Sequence, residues 1–382
     1  MPRTIQVAAV RMNADPAPKS ERLPRAAALI AQAAQMGAQL VVLPELFNTG
    51  YEYHENNYTQ VEPIDGETVT WMKAQAHQHG VHLCGSLMLL DGKDVVNSQI
   101  LVAPDGRRWR YDKNYPFALE HAYFRDGSEA MIAHTDLGKF GMMICWDYAH
   151  PELWQRYAGK VDAMLITSSP PRMLKFTLVM PDGHRVDSRA LGPLTEQSFS
   201  GDEPFGKDLD AQVGWLGVPA VHTTVSGDFK SGMPRPRLAL LGYTLFRPDL
   251  WRHLPHADEV EIQSDYYSQT KIINAAGDVL SRVETDEGVT VSGITLADDT
   301  PKAPSAEQPE IPYNWATYFL VDVISPAVLA DAYRAGVRQQ FGQKMAPRQG
   351  SIRWEVIIGL GLIGVFAAVL RLIGNATSRQ NK

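Results

Sequence analysis

A glutamate, a lysine and a cysteine each stand just beyond a candidate strand. Glu45 follows Val41-Val42-Leu43-Pro44, Lys113 follows Trp109-Arg110-Tyr111-Asp112, and Cys145 follows Met142-Met143-Ile144. Ligand sites in open α/β sheets lie beyond the carboxyl ends of the strands. A carboxylate, an ammonium and a thiol gathered there would form a nucleophilic centre. The carboxylate would take the thiol proton, and the ammonium would hold the thiolate and then the oxyanion formed on attack at a carbonyl. Each residue also has an ordinary reading, as an acidic turn residue, a solvated lysine or a core thiol. Their coincidence carries more weight than any one of them.

The elements that must position them follow from periodicity. Phe140 to Ile144 reads as a short buried strand that delivers Cys145 at its end, and Pro151 then opens a helical pattern through Leu153, Trp154 and Tyr157. A thiol at such a strand-to-helix turn is expected to have a lowered pKa. Thr4 to Val10, Gln39 to Leu43, Val81 to Leu90, Ser98 to Ala103, Arg108 to Tyr111 and Ala163 to Thr167 read as further strands. Arg22 to Met36, Thr68 to His79 and Leu209 to Leu216 read as helices, and strands resume from Ala220 to Thr295. Strands and helices in this order predict a layered α/β sandwich. Pro170 to Lys207 breaks the rhythm and reads as a pocket rim or a solvated insert.

The chain has 382 residues, 45% apolar and 21% charged, which suits an ordinary globular core. Its net charge of −7 disfavours a nucleic-acid partner. The two cysteines, Cys84 and Cys145, support neither a disulfide framework nor a zinc site, and a reducing compartment fits them. The N-terminus has too short an apolar run for a signal peptide.

Four motifs carry a resemblance. They are Leu43-Pro44-Glu45, Tyr111-Asp112-Lys113, Glu120-His-Ala-Tyr123-Phe124-Arg-Asp-Gly127, and Gly141-Met-Met-Ile-Cys145-Trp-Asp-Tyr-Ala-His-Pro151-Glu152. With Gly227-Asp-Phe229-Lys-Ser231 and the hairpin around Ala276-Gly277-Asp278, they resemble the nitrilase superfamily of carbon–nitrogen hydrolases over roughly residues 4–297. The resemblance implies a four-layer αββα sandwich and a triad of Glu45 (general base), Lys113 (oxyanion stabiliser) and Cys145 (nucleophile). It adds Glu120, which positions substrate and water, and the Trp146 backbone N–H in the oxyanion hole. Acyl transfer through a cysteine thioester then needs no metal and no organic cofactor. Asp147 after Cys145-Trp146 looks more like the amidase and carbamoylase branches than the true nitrilases, or else it caps the following turn. A small-molecule amide substrate and homo-oligomers, at least dimers, are the family expectation. An N-acyltransferase, a nitrile hydrolase and an idle scaffold are the alternatives.

The C-terminal part departs from that pattern. Residues 1–297 would be the hydrolase domain and 298–353 a linker with an amphipathic helical segment. Residues 354–374 would form a transmembrane helix, and 375–382 a short tail. Val356 to Leu370 holds no charged or polar side chain, and Trp354 and Arg371 could anchor its ends at the interfaces. A buried or oligomer-forming helix is the alternative. Arg334, Arg338, Lys344, Arg348 and Arg353 precede the run, which predicts a cytoplasmic catalytic domain and a lipid-like amide within reach. Tyr313 to Phe341 is expected to be helical and interrupted at Pro326.

Overall fold

The computed structural model describes residues 3–172, 175–191, 205–244, 246–298 and 302–342. Two sheets form its centre. The first runs Val225–Ser226, Arg3–Asn13, Leu40–Val42, His82–Asp91, Asp94–Val102, Arg108–Asp112, and Gly288–Leu296 also pairs with Arg3–Asn13. The second runs Val279–Arg282, Lys271–Ile273, Ala220–Thr223, Ala163–Thr167, Lys139–Ile144, Ile132–His134.

Strand alternation builds the layers. On the first strand Val7 and Ala9 face the second sheet, while Ala8, Val10 and Met12 face Ile30, Met72 and neighbours from helices Lys19–Gln35 and Glu67–His79. Leu40 and Val42 point inward, and Val41 and Leu43 outward, so this strand is apolar on both sides. Helices Pro151–Tyr157 and Lys207–Leu216 cover the second sheet through Leu153, Trp154, Leu209 and Val213. Helix, sheet, sheet and helix thus stack in the four-layer order that the resemblance implies. Gly141 is small because a Cβ there would stand 2.4 Å from Met164 Sδ and 3.0 Å from Tyr157 Cδ1.

Three regions differ from expectation. The described part of the Pro170–Lys207 stretch is no solvated insert. Thr177–Val179 and Arg185–Asp187 join Glu261–Asp265 and Asp228–Ser231 in a four-stranded sheet. That sheet packs Leu178, Phe229 and Ile262 against Tyr51, Tyr53 and Tyr266. Second, Cys145–Ala149 forms a 3-10 turn before the helix at Pro151. Third, Pro326 does not interrupt the C-terminal helix, which is continuous over Trp315–Phe341. The backbone widens into a π turn over Phe319–Ile324, just before the proline, which lacks an N–H to donate to the turn behind it.

Among the described residues, Trp315–Phe341 is the one helix long and apolar enough to cross a membrane. Its Leu329 and Val337 are buried against the domain, and Tyr333 hydrogen-bonds Asp94 at 2.9 Å. The expected span at 354–374 lies outside the described residues.

Candidate active site

Glu45, Lys113 and Cys145 meet at one pole of the sandwich, just past the ends of Leu40–Val42, Arg108–Asp112 and Lys139–Ile144. All three are buried, and Cys145 is 6% exposed. Lys113 Nζ lies between two carboxylates, 2.9 Å from Glu45 Oε1 and 2.7 Å from Glu120 Oε2. Glu120 belongs to the 3-10 turn Ala118–Ala122, where its Oε2 also accepts from Phe117 N at 2.6 Å. Its Oε1 accepts from Tyr51 OH at 2.5 Å, and Tyr51 OH stands 3.3 Å from Tyr53 OH.

Glu45 is held on every side. Asn97 Nδ2 donates to Oε1 at 2.8 Å, and the Ser169 N–H donates to Oε2 at 2.6 Å. Ser169 Oγ donates to the Glu45 carbonyl at 3.0 Å. Arg22 fixes the following turn by donating to Phe47 O at 2.8 Å. These groups leave the carboxylate little freedom except to exchange a proton.

The electrostatics divide the roles. Burial, with Glu120 nearby, pushes Glu45 up to about 7 against the pull of Lys113. Burial opposes the charge on Lys113, yet Glu120 and Glu45 together hold its pKa well above the ordinary lysine value. Burial and the Glu45 charge also raise the Cys145 thiol well above its usual range, while Lys113 and the Ser169 N–H favour the thiolate. This corrects the expectation of a lowered thiol pKa. The turn geometry alone suggests activation, but complete desolvation outweighs it. The site therefore holds a neutral thiol, and a base about neutral in strength shares its electrostatic environment.

Residues 6–184 match the carbon-nitrogen hydrolase family model. That match takes in Glu45, Lys113, Glu120 and Cys145. A nitrilase of Pyrococcus abyssi is 37% identical over 153 residues, covering 39% of this chain and 58% of the relative. A 2-oxoglutaramate amidase of Bacillus subtilis is 33% identical over 137 residues, 35% of this chain and 52% of the relative. An omega-amidase of Xenopus tropicalis is 32% identical over 161 residues, 39% of this chain and 57% of the relative. The chain thus spans a little over half the length of these curated relatives. Among solved structures, the CN-hydrolase superfamily protein XC1258 of Xanthomonas campestris aligns with a TM-score of 0.54 and 17% identity over 90% of this chain and 99% of its own. An amidase of Nesterenkonia sp. AN1 aligns with a TM-score of 0.54 and 17% identity over 76% of this chain and 89% of its own. At such identities the likeness bears on the fold.

The remaining candidate residues have clear positions. Trp146 directly follows Cys145, whose φ of 51° is left-handed and unusual for a residue with a side chain. The strain is held by Asp147, whose buried carboxylate accepts from Ile144 N at 2.9 Å, Asn114 N at 3.1 Å, Tyr115 N at 2.9 Å and Tyr111 OH at 2.7 Å. Asp147 thus ties the loop of Cys145 to the loop after Lys113. Its carboxylate is committed to protein donors, so its identity follows from the loop geometry. His150 stacks flat on Tyr115 with ring centroids 3.4 Å apart and lies outside the cluster around Lys113. Cys84 is a core thiol packed between the sheets, as expected, with its pKa raised by burial to about 12.

Strand-end reasoning passed over Tyr51, Tyr53, Asn97 and Ser169. Ser168-Ser169 does follow strand Ala163–Thr167, so the rule that flags Glu45 and Cys145 reaches Ser169 too. Asn97 sits in mid-strand, and the two tyrosines lie in an irregular segment, where spacing carries no signal. Two clefts near the site, one of about 340 Å³ beside Asn114 and Asp126 and one of about 590 Å³ beside Arg110 and Arg125, contain none of Glu45, Lys113 and Cys145.

Proposed function

We propose that the chain is a membrane-anchored amidase that hydrolyses a non-peptide C–N bond through a thioester on Cys145. The observation that carries this reading is Lys113 buried between Glu45 and Glu120, in a site that also holds the Cys145 thiol. Glu45, near 7, is matched to taking a thiol proton at neutral pH. As the thiol loses that proton, Sγ bonds to the amide carbon, and the carbonyl oxygen gains charge opposite Lys113 and the Trp146 N–H. The proton passes from Glu45 to the amide nitrogen, the C–N bond breaks and the amine leaves. Water then gives a proton to Glu45 and bonds to the acyl carbon. The C–S bond breaks, Cys145 recovers its proton and the acid is released. Glu120, braced by Tyr51 and Lys113, positions substrate and water.

The named relatives support the amide reading. Two of the three above are amidases, and one Nesterenkonia amidase structure carries the acetamide moiety of fluoroacetamide on its active-site cysteine. The Pyrococcus abyssi relative favours a second reading, a nitrile substrate at the same cysteine. Membrane anchoring rests on the apolar composition of residues 356–370, and self-association on family resemblance. Incubation with panels of small amides and nitriles is the test. Ammonia or amine release that is lost in Cys145→Ala supports the amidase, release from nitriles alone supports the second reading, and inert wild type removes both. Protease treatment of right-side-out vesicles should spare the catalytic domain, and digestion there would refute the cytoplasmic placement.

A further inference from the structure

The chain after the last strand wraps the hydrolase domain and ends on both catalytic loops. Residues 303–313 first cross the helices that cover the second sheet. Ala303 packs on Gly159, Trp215 Nε1 donates to Ala306 O at 2.9 Å, and Gln212 Nε2 donates to Pro309 O at 2.6 Å. Tyr313 then hydrogen-bonds Tyr148 and packs at a tilt beside Trp146, with ring centroids 5.0 Å apart. Tyr318 OH donates to the Ala149 carbonyl at 2.7 Å.

Asp322 follows, inside the π turn. Its Oδ1 accepts from Trp146 Nε1 at 3.0 Å, and its Oδ2 stands 3.1 Å from His150 Nε2. His150 Nδ1 faces the Trp146 carbonyl at 3.1 Å. His150 thus stands between the Asp322 carboxylate and the Trp146 carbonyl. Asp322 therefore grips Trp146 twice, directly through the indole and indirectly through His150 to the backbone carbonyl. Further along the same helix, Leu329 and Val337 pack in the core that includes Ala122 and Tyr123, at the end of the turn carrying Glu120.

We propose that Asp322 is a positioning residue for the reaction: by fixing the indole of Trp146 and, through His150, its carbonyl, it aims the Trp146 N–H at the developing oxyanion. The neighbouring Cys145 backbone is in a left-handed conformation that a free loop would leave, so the aim needs an external hold. A π turn suits this task because it rotates one side chain off the regular helical register. This proposal rests on the thioester reading above.

The test uses the full chain and its Asp322→Ala and Asp322→Asn variants. Asp331→Asn serves as control, because Asp331, on the same helix as Asp322, pairs with Arg334 of that helix and with Arg235 of another segment, away from Trp146. Three readouts are compared: steady-state hydrolysis of small amides, nitrophenol release from p-nitrophenyl acetate, and the rate of Cys145 alkylation by iodoacetamide. Alkylation at a CH2 carbon forms no oxyanion, whereas both hydrolyses do. Removing an oxyanion donor outright costs about 100- to 1,000-fold, so a misaimed one should cost at least about tenfold in kcat. The expected result for Asp322→Ala is that loss, with KM and alkylation within about twofold of wild type and the control unchanged. Unchanged hydrolysis, or an equal fall in hydrolysis and alkylation, overturns the proposal. If wild type turns over the ester and no amide, the amidase reading falls and the ester decides the role of Asp322. If it turns over neither, both fall.

Discussion

Replacing Lys113 by methionine removes the cation between Glu45 and Glu120 and leaves their buried positions in place. Methionine is of similar length and flexible enough to fill the space. Breaking one partner out of a buried ion pair costs about 3–5 kcal/mol when the remaining charge stays buried. Here that cost depends on pH, and its sign follows from Glu45. Its folded pKa, about 7, already lies above the ordinary carboxyl range. A carboxyl raised in this way contributes stability that is present below the unfolded pKa and lost as pH rises through the folded one. Lys113 pulls Glu45 down, so the variant's Glu45 lies higher still and loses more stability over a wider range. Each further unit costs about 1.4 kcal/mol once pH exceeds the new value. Near pH 5 Glu45 is largely neutral in both proteins, so its share of the penalty reduces to lost hydrogen bonds, about 1–2 kcal/mol, beside the cost of leaving Glu120 without its cation. At pH 8 it should reach about 3–5 kcal/mol. Urea unfolding at pH 5, 6.5 and 8 measures this as a midpoint shift with unchanged slope. A penalty independent of pH, or largest in acid, would refute the reasoning.

Other perturbations follow from the same geometry. Asp147→Ala strands three backbone N–H groups and a tyrosine hydroxyl; at about 1 kcal/mol or more each, it should lower stability by at least about 3 kcal/mol, and a loss under 1 kcal/mol by urea titration would show that Asp147 is dispensable. Asp147→Glu should not confer nitrile hydrolysis, because the carboxylate serves the loops; ammonia release from a nitrile panel by that variant alone would reverse this. Since the base must be ionised, kcat/KM should rise with pH through about 7, and a profile flat from pH 5 to 8 would remove Glu45 from that role. Cys84→Ala should keep full amide turnover at a stability cost of about 1 kcal/mol, and lost turnover would mean that Cys84 takes part in the chemistry.

The residues at the heart of the site were legible because Glu45 and Cys145 close apolar runs, Lys113 closes the second arm of a hairpin marked by Pro104-Asp105-Gly106, and chemistry-bearing side chains at strand ends are a physical expectation. Glu120 was legible only through resemblance, because its 3-10 turn has no periodic signal. The small sheet was not legible. Its strands are three to five residues long, and Thr177–Val179 pairs with Glu261–Asp265 across most of the intervening chain. Local alternation is too short to register there, and the pairing is fixed by the core around Leu178, Phe229 and Tyr266. The thiol's pKa direction was misread because a turn is local, whereas desolvation depends on everything packed above it. Pro326 misled for a related reason: proline breaks an α-helix by withholding one donor, and a π turn upstream removes the conflict. The anchoring role of Asp322 had no sequence signal, since its partners lie more than 170 residues away.

The central claim is that Cys145 forms a thioester whose hydrolysis depends on Glu45. In Glu45→Gln the side chain can still accept from Lys113 but can take a proton from neither the thiol nor water, so acylation by an amide slows, while an acyl enzyme formed from an activated ester, whose leaving group needs no proton, should persist for want of a base to activate water. Mass spectrometry of that variant after exposure to p-nitrophenyl acetate should find an acetyl adduct on the peptide containing Cys145. The adduct should be released by hydroxylamine, absent from a Glu45→Gln, Cys145→Ala double variant, and shorter-lived in the wild type. An unmodified Cys145 after exposure to the ester, an adduct that survives hydroxylamine, or one that is lost as fast as in the wild type would contradict the account.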